Sequence, residues 1–189
     1  DATTSQEVLR WAPPEGECTQ SSWLGHQLAL LCWAPAPSDR SASFQLDLWL
    51  WDSTTPGVPP AFSSVVLPGV PWYRSPHVCA LESERGLVIG TVTGMILRWD
   101  VEAKAEVWRS DLHGGQIDAL QVDRDAGVVY SFGGVSRIRS SSLATGEELP
   151  DTNVELDAIS RLGARVVGID VAQGTPWIAT ITDSGKLHV

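Results

Sequence analysis

The side chains able to do chemistry in this sequence are few and scattered. The four histidines are His26, His77, His113 and His188, and the three cysteines are Cys18, Cys32 and Cys79. His77 and Cys79 stand two residues apart, which on a strand puts both on one face, within reach of a common metal ion. A metal site needs further ligands, and no second pair accompanies them. Ordinary packing is the expected role, and no metal or cofactor is expected. Asp111 and His113 have the makings of an acid/base pair. No Gly-x-Ser-x-Gly elbow and no phosphate-binding loop joins them, so the chain reads as a binding platform and not as an enzyme. The odd cysteine count, without Cys-x-x-Cys spacing, argues against a disulfide framework or a structural zinc. Cys32 and Cys79 sit in apolar runs and read as small core residues. That usage fits a reducing, intracellular compartment: cytoplasm, nucleus or cytoskeleton.

The elements that would position these residues come in repeats. Val78-Cys79-Ala80-Leu81 is followed 39 residues later by Ile117-Asp118-Ala119-Leu120, and 39 residues after that by Leu156-Asp157-Ala158-Ile159. After each copy comes a second β-rich run: Leu87-Val88-Ile89-Gly90, Val128-Val129-Tyr130-Ser131 and Val166-Val167-Gly168-Ile169. A third run follows: Met95-Ile96-Leu97-Arg98-Trp99, Ser136-Arg137-Ile138-Arg139 and Trp177-Ile178-Ala179-Thr180-Ile181. Between the second and third runs lie Thr93-Gly94, Gly133-Gly134 and Gln173-Gly174, the residues tight hairpins favour. Fourth runs are expected at residues 105–109 and 186–189. A poorer one spans residues 147–154, where Pro150 suits an outer edge strand. Residues 1–75 fit a modified copy, with strands at residues 8–13, 27–33, 44–51 and 61–67. Residues 34–43 form a long excursion between its second and third strands. No stretch shows the 3.6-residue apolar period of a helix.

Four short antiparallel strands recurring in this way make a β-propeller blade. The expected fold is all-β, with about four blades near residues 6–70, 76–112, 115–154 and 155–189. At this point the sequence resembles the WD-repeat family. Trp99-Asp100 and Trp51-Asp52 both end third strands, where that family carries its Trp-Asp pair. His113, four residues before Ile117, matches the family's His ahead of the first strand. The resemblance implies that His113 ties its loop to its blade. No blade combines the His, the strand-two Ser or Thr, the turn Asp and the Trp of the family's hydrogen-bond network. His113 and Ser131 share a blade without a matching Trp, and Gly25-His26 reads as a decoy.

The resemblance also places the loops before first strands on the same face as the loops between second and third strands. Trp72-Tyr73-Arg74 occupies one such loop, between Pro71 and Pro76. Trp, Tyr and Arg are the residues most enriched at interface hot spots. Together with Asp111 and His113 they make the expected partner-contact rim. Most of the other Trp residues, among them Trp51, Trp99 and Trp177, fall on strands and read as packing between blades.

Composition narrows the partners. The formal net charge is −10, from 13 Lys plus Arg against 23 Asp plus Glu, which repels phosphate backbones, so direct nucleic-acid binding is not expected. No apolar run is long enough for a membrane helix. The chain starts at Asp1 without Met, which fits a processed product or a fragment. Four blades of this kind rarely close a ring. The expectation is therefore an incomplete propeller, completed by other proteins of a complex in which the chain is a scaffold subunit. The alternative is a peptide or small-ligand reader that uses the rim.

Overall fold

The computed structural model describes residues 18–24, 26–33, 44–55, 58–59, 61–67, 76–81, 83, 86–133, 137–150, 154–155, 166–175 and 177–189. Among them are 15 strands and no helix, in four antiparallel sheets. The first sheet is β1 (Cys18–Leu24), β2 (Gln27–Trp33), β3 (Phe44–Asp52) and β4 (Ala61–Leu67), paired in chain order. The second is β5 (Pro76–Leu81), β6 (Gly86–Thr91), β7 (Met95–Asp100) and β8 (Ala105–Asp111). The third is β9 (Ile117–Asp123), β10 (Val128–Gly133), β11 (Arg137–Ser142) and β12 (Val154–Glu155). The last holds β13 (Val166–Val171), β14 (Ile178–Thr182) and β15 (Leu187–His188). β1 lies beside β5, β5 beside β9 and β9 beside β13. The first strand of each sheet thus neighbours the first strand of the next, and the fold is all-β and propeller-like.

The burial of the second sheet follows this stacking. β6 is buried at every position, β7 is half-buried toward its end, and β8 alternates between exposed and covered residues. An inner strand is covered on both faces by neighbouring sheets, so its sequence is almost continuously apolar. An outer strand covers one face only and alternates. β9 and β10 show how both faces are used. Leu120, Val122 and Val129 turn toward the second sheet and pack with Val88, Ile96 and Trp108. The intervening Ala119, Val128, Tyr130 and Phe132 turn toward the last sheet and pack with Val166 and Val171. Replacing Ala119, which pairs with Phe132 across β9 and β10, by Leu is expected to overpack that seam and cost about 1–3 kcal/mol. Urea unfolding of the variant measures it.

Several strand expectations are corrected. The first strand of the first sheet is β1, paired through a tight hairpin with β2, whereas the expected strand at residues 8–13 lies outside the described residues. In the third sheet, residues 147–149 bond to β11 near its end, through Glu148 opposite Ser141 and the Leu149 amide on the Ser140 carbonyl at 2.8 Å. After Pro150 the short β12 resumes the pairing opposite Arg137 and Ile138.

The larger correction is in the last sheet. β13 occupies the inner position beside β9, so Val166–Val171 is a first strand and not a second. The turns prove the register. Thr91 Oγ1 accepts from the Met95 amide at 3.1 Å, and Thr182 Oγ1 accepts from the Lys186 amide at 3.2 Å. The turn equivalent to Thr93-Gly94 is therefore Ser184-Gly185, and Gln173-Gly174 belongs to the hairpin between first and second strands. The matching alanines also fall out of register. Ala80 pairs with Val88 near the end of β5, Ala119 pairs with Phe132 near the start of β9, and Ala158 lies outside the described residues. The repeat is one of sheets, and the even 39-residue alanine spacing does not carry it.

Two side-chain expectations also change. Trp177 is 62% exposed and does not pack between sheets. Cys32 is fully buried, as a core residue should be, but it is disulfide-bonded and not a free thiol.

Candidate functional site

Residues 112–116 connect β8 to β9 and carry His113. Its amide donates to the Gly94 carbonyl at 3.2 Å, in the turn between β6 and β7. Gly94 has φ +93°, and a side chain there would run into the His113 carbonyl. A Cβ on Gly133, at the end of β10, would likewise meet the Gln116 carbonyl. The loop is wedged between two turns that join second to third strands, so loops of both kinds share one end of the sheets.

His113 itself is buried. Nδ1 lies 3.1 Å from the Gly133 carbonyl and Nε2 lies 2.9 Å from Ser131 Oγ. A carbonyl can only accept, so Nδ1 carries the proton and Nε2 accepts from the Ser131 hydroxyl. Burial lowers the imidazole pKa to about 4, against smaller opposing contributions from the Gly133 carbonyl and nearby carboxylates. The ring is neutral and both nitrogens are used inside the fold. Asp111, the last residue of β8, is exposed beside this loop. The structure brings Asp111 and His113 to one rim but turns only Asp111 outward. Trp72, Tyr73 and Arg74 lie outside the described residues, as does the excursion at residues 34–43. Trp99 is buried, and its indole N–H finds no acceptor among the described residues. The family's hydrogen-bond network is thus split: the His and Ser are in the third sheet, and the Trp is in the second. Gly25-His26 lies beside the β1–β2 hairpin, not ahead of an inner strand.

Three features have no counterpart in the sequence reading. Trp108, on the outer strand β8, donates from Nε1 to the Leu143 carbonyl at 2.9 Å and stacks over Gly146, joining the second sheet to the third. At the end opposite His113, Gln173 clasps the β9–β10 hairpin. Its Nε2 donates to the Val122 carbonyl at 2.8 Å, and its Oε1 accepts from the Arg124 amide at 2.7 Å. Beside it, the fully buried Asp123 accepts from the Gly174 amide at 3.0 Å and from the Ala126 amide at 3.0 Å. A Gln-Gly pair at a hairpin apex is a weak signal that becomes meaningful only with the correct strand register.

The third feature is apolar. Val167, Trp177, Ile181, Leu187 and Val189 all belong to the last sheet or its borders, and all are exposed, Leu187 by 67%. Among the described residues the outer edge of β15 has no partner strand. A cleft of ≈ 240 Å³ also opens by Trp51, Asp52, Val58 and Pro59. There the Thr54 hydroxyl and amide hold the Asp52 carboxylate below its ordinary pKa, and His26 stands 3.8 Å away. Among the described residues no three His, Cys, Asp or Glu side chains are grouped to hold a metal ion, and no helix is long and apolar enough to cross a membrane.

These features define an all-β, propeller-like fold with an interlocked rim at one end and a clasp at the other. No family model and no curated protein matches the sequence. Solved structures do resemble the fold. The computationally designed Ika4 protein aligns with TM-score 0.60 at 13% identity, over 98% of this chain and 97% of that one. A chain of the mitotic checkpoint complex aligns with TM-score 0.58 at 14% identity, over 88% of this chain and 47% of that one. The designed Ika8 protein aligns with TM-score 0.56 at 12% identity, over 90% of this chain and 44% of that one. This chain spans about half of the last two, and at such identities the likeness is one of fold.

Proposed function

We propose that this chain is a non-catalytic protein-interaction scaffold, a WD-repeat-like subunit of a larger assembly. The exposed apolar set on the last sheet carries the reading. Val167, Trp177, Ile181, Leu187 and Val189 are exposed together, beside a strand edge with no partner among the described residues. Clustered apolar exposure and an open edge favour pairing with another polypeptide. The fold likeness to a chain from a multiprotein complex supports the same reading. The partners are proteins, because the net charge of −10 disfavours nucleic acid.

The test is affinity purification of the tagged chain and of a Trp177→Asp/Leu187→Asp variant from the cells that make it. Loss of two hot-spot side chains at about 1–2 kcal/mol each is expected to weaken partner recovery by tenfold or more. Melting should stay nearly unchanged, because both side chains are exposed. Undiminished recovery overturns the assignment of this surface. The reader alternative uses the rim instead, where Asp111 is exposed. On that reading Trp72→Ala and Asp111→Ala abolish binding, and the Trp177/Leu187 variant does not.

A further inference from the structure

Cys32 takes part in a disulfide, and the strand register identifies its partner. Cys18 begins β1, and Cys18 and Cys32 are cross-strand partners in the β1–β2 pairing. Directly opposed residues of an antiparallel pair have Cα atoms about 4.5–5.5 Å apart, inside the window a disulfide spans. Cys79 is the remaining cysteine. It lies on β5, opposite Ile89, in the neighbouring sheet. Packed sheets stand about 10 Å apart, beyond a disulfide's usual Cα separation.

We infer that Cys18 and Cys32 form a disulfide that staples the innermost hairpin of the first sheet, and that the chain acquires this bond in an oxidising compartment. Two thiols lose two protons and two electrons, and an S–S bond forms. The electrons pass to a disulfide oxidant, a protein or low-molecular-weight disulfide, which leaves as two thiols. Cys79 stays reduced, which accounts for the odd cysteine count. Disulfides persist in oxidising compartments and are rare where glutathione and thioredoxin keep thiols reduced. The inference therefore runs against the reducing compartment that scattered cysteines suggest. The bond closes a loop of 15 residues, counting both cysteines. It stabilises the fold chiefly by restricting the unfolded chain.

The experiment uses the full chain taken from the cells that make it, with free thiols alkylated at lysis and no reductant added. Trypsin leaves Cys18 and Cys32 together in residues 11–40 and puts Cys79 in residues 75–85. The expected result is a peptide 11–40 lighter by two hydrogens and unalkylated, with an alkylated peptide 75–85. A covalent link between the two peptides assigns Cys79 as a partner and overturns the inference. Alkylation of all three cysteines overturns both the bond and the compartment. Reduction of the oxidised chain is expected to lower Tm by about 6–12 °C. The Cys18→Ser/Cys32→Ser double variant should show no response to the same reductant. If wild type and double variant respond alike, the bond is not a staple.

Discussion

Asp123→Ala is expected to destabilise the fold by about 2–4 kcal/mol, with two backbone amides losing their charged acceptor at once. Asp123 has no exposed surface, and its carboxylate accepts from the Ala126 amide within its own hairpin and from the Gly174 amide of the next sheet. It therefore couples a local turn to an inter-sheet contact. Gln173→Ala removes the neighbouring pair of bonds, to the Val122 carbonyl and the Arg124 amide. These groups sit nearer solvent, and about 1–2 kcal/mol is expected. The two substitutions touch one interface, so their effects should not add. A double-mutant cycle in urea should return a coupling of about 0.5–2 kcal/mol. Additive losses would mean that the carboxylate serves its own turn alone. Asp123→Asn separates the two roles further. It keeps one acceptor oxygen and should recover part of the loss, more through Ala126 than through Gly174.

The general architecture was legible in the sequence because inner strands buried on both faces leave a strong imprint. Val128-Val129-Tyr130 and Leu87-Val88-Ile89 are continuous apolar runs with turn residues after them. The long strand ending in Trp51-Asp52 stands where its alternation placed it. The phase of the last sheet was not legible. Gln173-Gly174 and Ser184-Gly185 both look like hairpin turns, and a gap of one strand shifts every assignment after it. The side-chain bond from Thr182 to the Lys186 amide would have settled the phase, since Thr91 makes the same bond in an unambiguous turn. That signal is a Thr two residues before a Thr-Gly or Ser-Gly pair, and it is short enough to pass for ordinary turn composition. The disulfide was missed for a related reason. Cys18 and Cys32 are separated by a hairpin whose register the sequence did not reveal, because residues 8–13 looked like the better strand. At the rim, the loop ahead of β9 was read correctly as an anchor point. What spacing could not show is that the anchoring consumes both ring nitrogens of His113 and leaves Asp111 alone facing outward.

His113→Ala is expected to cost about 2–4 kcal/mol at neutral pH. It removes a buried ring and leaves the Ser131 hydroxyl and the Gly133 carbonyl without their partner. The pH dependence tells this residue apart from a simple packing group. Its imidazole titrates at about 4 in the folded chain, against an ordinary value of 6.5, because burial disfavours the charged ring. Between those two values the unfolded chain holds a proton on this ring that the folded chain refuses. Folded-state stability therefore rises with pH through this window. The contribution is complete above pH 6.5 and is lost as pH falls toward 4. A shift of this size corresponds to as much as about 3 kcal/mol across the window. Carboxylates and the other three histidines titrate in wild type and variant alike, so their effects cancel in the difference. Urea unfolding of both proteins from pH 7.5 to pH 4 should show a stability gap that is constant above pH 7 and narrows steadily below 6.5. A gap that holds constant down to pH 4 would mean that the ring is protonated in the folded chain, with Nε2 donating to Ser131. The loop before β9 would then be held by a charged anchor instead of a neutral one.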